Sequence, residues 1–246
     1  MAARKVLITG AAGFIGSYLA QNLPSEKYDL VLADIRQPDY EHRSPFIELD
    51  ITDLDRFRAA CEGIDTVVHL AADRRTTAPW ETLLPLNIIG AYNGFEAARL
   101  AGCRRIIFAS SIHAGSGYPE DVQVRPDMPT HPGNLYGATK IWGEAAARVY
   151  ADHHGLSCLC LRFGWVGTRD DASKLTHPHA PSAYLTLEDT ARLVMACIDA
   201  PDDVRYGIFN GVSNNRYKKL DITNAREVIG YDPQDDGFAL AEQILK

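Results

Sequence analysis

Hydrophobic positions along this chain fall into short unbroken runs separated by longer stretches in which apolar residues recur every three or four positions. The runs are "KVLIT" (5–9), "DLVLAD" (29–34), "FIELDI" (46–51), "DTVVHLAA" (65–72), "RRIIFASS" (104–111), "LSCLCLRFG" (156–164) and "GIFNGV" (207–212). Each predicts a strand buried on both faces, since a half-exposed strand would alternate apolar and polar residues. Helical patterns fill the gaps at 14–23, 80–101, 136–154 and 187–200, and another begins after Thr52 and Asp53, both good helix-start residues. Thr186 with Asp189 three residues on predicts a capped start for the helix at 187.

Strands alternating with helices in this way predict an α/β fold with a doubly wound parallel sheet. Residues 1–155 read as one doubly wound unit. Residues 156–246 complete the sheet and add a small C-terminal region that covers the site, all in one integrated domain. The segment 164–185, with "HPHAPSAY", reads as loop.

Composition narrows the function classes. With 246 residues the chain can bury one sizeable core, and 46% hydrophobic with 23% charged residues is ordinary for a soluble globular protein. A formal net charge of -7 argues against a nucleic-acid partner or an anionic membrane surface. No apolar run approaches the roughly 18 residues of a membrane helix, and the N-terminus runs straight into a strand, so no cleavable signal is expected. Cys61, Cys103, Cys158, Cys160 and Cys197 are scattered, with no matching second pair or histidine cluster. They read as inert core thiols rather than metal ligands, which places the protein in a reducing, cytoplasmic setting.

The first chemical signal is "TGAAGFIG", where Gly10, Gly13 and Gly16 separate the first strand from the first helix. Glycines there let the backbone turn sharply and approach a pyrophosphate held by the helix N-terminus. The spacing is GxxGxxG rather than GxGxxG, but the second strand ends in an acid, Asp34, eighteen residues beyond Gly16. A carboxylate at that point hydrogen-bonds the ribose hydroxyls of NAD and repels the extra phosphate of NADP, while Arg36 nearby suits that phosphate. These features predict a Rossmann-type cofactor site made of Gly10, Ala12, Gly13, Phe14, Ile15 and Gly16, then Asp34, Ile35 and Arg36. Asp50 and Ile51 at the end of the third strand come within reach of the adenine, although Asp50 taken alone reads equally as a solvated loop acid or a helix cap, and Leu70, Ala71 and Ala72 leave room beside the fourth.

The second signal is "NLYGATKIWGE", in which Tyr136 and Lys140 stand four residues apart on one helix face. By itself the pair is either a surface accident or a device for moving a proton. In order along the chain, TGxxGxxG, "HLAA", "NIIG", "FASS" and "YGATK" resemble the extended short-chain dehydrogenase/reductase family, that of NAD-dependent epimerases and dehydratases, over nearly the whole sequence. The gap of 25 between Ser111 and Tyr136 matches that family's catalytic serine and tyrosine. The resemblance implies NAD as cofactor, Tyr136 as the base, Ser111 on the reacting oxygen, and Lys140 on the nicotinamide ribose and favouring the phenolate. It implies a positioning role for Asn87, which otherwise reads as a polar contact within its helix. It also implies a homodimer or higher homo-oligomer through the helices at 80–101 and 136–154.

Within the family, "SSIHAGSGYP", "NLYGATKIWGE", "RFG" and "GYDPQD" are similar to uronate dehydrogenases and to short-chain-type glucose-6-phosphate dehydrogenases, and "DRRTTAPWETLLPLNIIG" leans toward the latter. The implied reaction oxidises the anomeric carbon of a cyclic sugar to a lactone. The implied substrate contacts are Arg75, Ser111, Ile112, His113, Tyr136, Trp165 and Lys174. The uronate enzymes have asparagine where this chain has Ile112, serine at Trp165 and a carboxylate-clamping arginine at Lys174. Arg169, Arg74 and Arg75 are the candidates to replace that last contact. An epimerase or dehydratase that recycles its cofactor internally is the alternative, and a redox-sensing binding protein on the same scaffold is a third.

Overall fold

The computed structural model describes residues 3–175 and 177–244. Strands β1 (Arg4–Thr9), β2 (Tyr28–Asp34), β3 (Phe46–Glu48), β4 (Thr66–His69), β5 (Arg105–Ser111), β6 (Ser157–Phe163) and, later in the chain, Tyr206–Gly211 form one parallel sheet. Two short strands that the apolar pattern does not predict, β7 (Trp165–Gly167) and β8 (Tyr184–Thr186), pair in parallel beside it, which makes Tyr206–Gly211 β9. The order in the large sheet is β3-β2-β1-β4-β5-β6-β9.

Alternate strand residues feed two separate cores, which is why the runs are apolar throughout. Val6, Ile8, Val68, Ile107 and Leu159 face helices α1 (Phe14–Asn22), α6 (Leu187–Asp199) and α7 (Thr223–Ile229). Leu7, Val67, Ile106, Cys158 and Cys160 face α2 (Leu54–Ala60), α4 (Gly90–Leu100) and α5 (Leu135–His154). All five cysteines are buried and unpaired by disulfides, and burial pushes the thiols of Cys158, Cys160 and Cys197 above their ordinary range. Arg105 is fully buried, with its guanidinium donating to the carbonyls of Cys197 (2.7 Å), Ala200 (2.8 Å) and Pro201 (2.8 Å) at the end of α6.

Three expectations need correction. The third strand stops at Glu48 because Asp50 turns the chain, its Oδ1 accepting from the backbone N–H and the hydroxyl of Thr52. The single helix expected over 80–101 is α3 (Trp80–Leu83), a π-helical turn (Leu84–Ile89) and α4. Pro85 has no N–H to donate, and Gly90 N–H reaches back five residues to Pro85 O. The expected cap of α6 is half formed: Thr186 Oγ1 accepts from Asp189 N–H, but the Asp189 carboxylate is drawn to the N–H groups of Gln234 and Asp235. The chain closes with α8 (Gly237–Ile244).

Sheet order reverses between β1 and β4. In such sheets the two connections leave in opposite directions and open a crevice at the C-terminal strand ends, where ligands bind. Gly10, Asp34, Leu70, Ser111 and Gly164 all lie at these ends.

Candidate active site

A cavity of about 1020 Å³ occupies this crevice. One end is made of backbone. Gly10 has φ +73, and a Cβ on it would stand 2.9 Å from Ala71 N. On Gly16 a Cβ would meet Gly10 O at 2.2 Å and Ala11 Cα at 2.8 Å, so the first turn of α1 packs directly on the loop. Gly13, Phe14, Ile15 and Gly16 line the cavity at the helix start, where first-turn N–H groups have no helical partner. Asp34, Ile35, Arg36, Asp50, Ile51, Leu70, Ala71 and Ala72 line it as well. This glycine cradle with a carboxylate at the end of β2 fits a dinucleotide: pyrophosphate over the α1 turn and ribose at Asp34. Ala12 is set back from the cavity. Its N–H donates to Asp34 Oδ2 at 2.9 Å and its carbonyl accepts from Arg36 Nη2 at 3.3 Å, so it positions the acid.

The other end gathers Ser111, Ile112, His113, Tyr136, Lys140 and Trp165. Ser111 is the last residue of β5, and its Oγ accepts from His113 N–H at 3.2 Å. Tyr136 and Lys140 sit one turn apart at the start of α5, both buried, with Lys140 Nζ 5.5 Å from the Tyr136 ring centre and 5.1 Å from that of Phe108. Burial lowers the Lys140 pKa from 10.5 to about 8. Burial also raises the Tyr136 phenol, against the expectation of an acidified tyrosine, and Ser111 and the Arg74 guanidinium pull it back down. Lys140 Nζ makes no hydrogen bond among the described residues and lines the cavity, so its donors are free for a bound ligand.

His113 is oriented by a residue that the motif reading passed over. Asn134 caps α5 by accepting from Gly137 N–H at 2.8 Å, and its Nδ2 lies 3.1 Å from His113 Nδ1. Its position just before the helix was the available signal. Behind the corner, Glu144 receives both prongs of Arg162 at 2.7 Å and the Ser110 hydroxyl at 2.6 Å in a buried network next to Ser111.

Besides Ala12, two expected site residues stand outside the cavity. Asn87, in the π turn, is buried behind it: Oδ1 accepts from Asp73 N–H at 2.8 Å, and Nδ2 donates to Asp73 O at 2.9 Å and Thr139 Oγ1 at 3.1 Å. It therefore ties the loop after β4 to α5. Lys174 is exposed on the short helical turn after β7 and paired with Asp171, whose carboxyl it holds down at about 2. Arg169 is also spent, on Asp235 at 3.0 Å and Glu188 at 3.6 Å. Arg75 does line the cavity, but Asp73 grips it at 3.0 and 2.6 Å.

The comparisons with known proteins agree with this architecture. Residues 6–182 match the model of the NAD dependent epimerase/dehydratase family. This chain belongs to that family. It is 36% identical to an NAD-dependent glucose-6-phosphate dehydrogenase of Haloferax volcanii, over 94% of this chain and 93% of that one. It is 31% identical to an L-arabinose 1-dehydrogenase (NAD(P)(+)) of the same organism, over 97% and 99%. A mutant uronate dehydrogenase of Agrobacterium tumefaciens, crystallised with NAD, superposes with a TM-score of 0.86 at 30% identity, covering 99% of this chain and 89% of that one. Among the described residues, no helix is long and apolar enough to cross a membrane, and no cluster of His, Cys, Asp and Glu is suited to a metal ion.

Proposed function

We propose that this protein is an NAD-dependent sugar dehydrogenase that oxidises the anomeric carbon of a cyclic sugar to a lactone. The observation that carries this reading is the meeting of Ser111, Tyr136 and Lys140 in the same cavity as Asp34 and the glycine turn. The relatives named as dehydrogenases of glucose 6-phosphate, arabinose and uronates support the substrate class.

NAD, when bound, supplies the hydride acceptor. Gly10, Gly13, Phe14, Ile15 and Gly16 would hold its pyrophosphate, Asp34 its adenosine ribose and Lys140 its nicotinamide ribose. Tyr136 takes the proton of the anomeric hydroxyl as its carbon gives up hydride, so that the C1–O bond becomes the lactone carbonyl. Ser111 holds the same oxygen by a hydrogen bond and keeps it in line. A phenol near pKa 10 is a poor base at neutral pH, and burial makes it poorer. The positive charge of the oxidised nicotinamide and the Lys140 ammonium favour the phenolate, so Tyr136 becomes an effective base only once the site is filled.

We further infer that residues 156–246 complete the sheet and cover the sugar, and that the protein works in a reducing cytoplasm. The exposed Ile89 and Tyr92 on the π turn and α4, with Trp142 and Val149 on α5, support a homodimer packed through these helices.

The test is NADH formation by purified protein with NAD and a panel of glucose 6-phosphate, glucuronate, galacturonate, glucose and arabinose. Sugar-dependent NADH that drops by about 10²- to 10⁴-fold in Tyr136→Phe supports the reading. Bound NAD without net NADH from any sugar sinks it and points to internal cofactor recycling, the chemistry of the UDP-glucose 4-epimerases to which the chain is also similar.

A further inference from the structure

The loop after β4 is held with unusual completeness. Asn87 bonds both backbone groups of Asp73. The Asp73 carboxylate in turn takes the backbone N–H of Arg75 (3.1 Å), its Nε (3.0 Å), its Nη2 (2.6 Å) and the Thr82 hydroxyl (2.8 Å). Acid and arginine cancel, and the loop retains one positive charge, on Arg74. Arg74 lines the cavity, and its guanidinium makes no hydrogen bond or ion pair among the described residues. It lies near enough to Tyr136 to act on the phenol.

The other cations around the cavity are accounted for. Arg36 sits at the adenosine end, bonded to Ala12 O, and Lys140 is buried below Tyr136. Arg169 and Lys174 are paired to acids. A cation that this loop holds in the wall of the cavity, with no counter-ion of its own among the described residues, lowers the energy of an anion placed there. Arginine's planar fork matches a phosphate or carboxylate with two parallel hydrogen bonds.

We propose that Arg74 is the specificity-determining contact for an anionic substituent of the sugar, a phosphate ester or a carboxylate, and that the protein prefers charged sugars to neutral ones. This rests on the reading of the cavity as a sugar site. A charge-assisted pair of this kind is worth about 10- to 100-fold in affinity. Lys174, on the helical turn after β7, is too committed to Asp171 to substitute.

The experiment is calorimetric titration of glucose 6-phosphate, glucuronate and arabinose into the NAD-saturated Tyr136→Phe protein, with and without Arg74→Gln, beside kcat/KM for the same sugars with Tyr136 intact. The expected result is a loss of about 10- to 100-fold in affinity for anionic sugars in Arg74→Gln. Arabinose should change by less than about threefold, and Arg74→Lys should restore part of the loss. Whichever of glucose 6-phosphate and glucuronate loses more identifies the anion as phosphate or carboxylate. Anionic and neutral sugars weakening together, no change for either, or no binding of any anionic sugar overturns the proposal. If binding depends on Arg74 while no sugar yields NADH, Arg74 stands and the dehydrogenase reading falls. Equal kcat/KM for charged and neutral sugars in both proteins gives the reverse.

Discussion

Asn134 and His113 face each other across 3.1 Å, and the contact decides where the imidazole carries its proton. The Asn134 oxygen is committed to the Gly137 N–H at the start of α5, so its NH2 group points at His113 Nδ1. Nδ1 must then accept, which leaves the ring hydrogen on Nε2. Burial, which lowers the His113 pKa, keeps the ring neutral and reinforces this tautomer.

Asn134→Asp therefore separates the two roles of the residue. The cap survives, since aspartate caps about as well as asparagine, but the donor to Nδ1 becomes an acceptor. The His113 pKa is expected to rise in an NMR titration while the melting temperature stays close to that of the natural protein. Asn134→Ala, which loses the cap as well, should cost about 1 kcal/mol in urea denaturation. A His113 titration unmoved by Asn134→Asp would show that the ring is set by other neighbours.

Lys140 is expected to be a net burden on the fold. Its pKa falls from 10.5 in the open chain to about 8 on burial, so below pH 8 the folded state confines a cation that the unfolded state leaves in water. Stability should accordingly rise as pH climbs from about 8 to 10.5, the window in which the unfolded chain holds the proton and the folded chain does not. Lys140→Met removes the burden at similar volume, and without NAD it should stabilise the protein by up to about 3 kcal/mol near neutral pH. The same variant should bind NAD weakly and turn over no sugar. Urea midpoints without NAD, set beside NAD titration calorimetry, test both halves, and a destabilised Lys140→Met would contradict the first.

His69 makes the opposite limb of the pH profile steep. It is fully buried against Phe57 and Phe108, with Nδ1 at 2.8 Å from Thr9 Oγ1, and burial lowers its pKa from 6.5 to about 3. The unfolded chain thus binds a proton that the folded chain refuses. The stability contributed by neutral His69 is present above pH 6.5 and drains away as pH falls toward 3. This one group should account for up to about 1.4 kcal/mol per pH unit in that window. His69→Gln is expected to be less stable at neutral pH yet lose less on acidification, which thermal melts over this range will show. An acid limb as steep as that of the natural protein would assign the effect elsewhere.

The seven strands of the large sheet were legible because each is a short apolar run, and the sheet buries both of its faces. The ribbon of β7 and β8 was not, since β7 lies within 164–185 and β8 at its end, a segment whose glycines and prolines, with "HPHAPSAY", read as loop. That the glycine turn, Asp34, Ser111, Tyr136 and Lys140 line one cavity was readable because their spacing along the chain reflects local geometry at strand ends and one helix turn. Lys174 shows the limit. Counting along a motif places a residue on the chain, but its ion pair with Asp171 depends on a local turn that counting does not describe. Arg74 and Arg75 show the same limit at closer range, as neighbours in sequence that differ only in which of them Asp73 holds.

The position of β5 in the sheet has a consequence for synthesis. Its neighbours are β4, already made when β5 emerges, and β6, some fifty residues later in the chain. Arg105 on β5 must wait longer still, for the α6 carbonyls that solvate its charge. While a ribosome is still translating the middle of the gene, the nascent chain carries a bare strand edge and an unquenched arginine at its centre. Both invite a chaperone, and a chain released before α6 would present them to its neighbours as an adhesive surface.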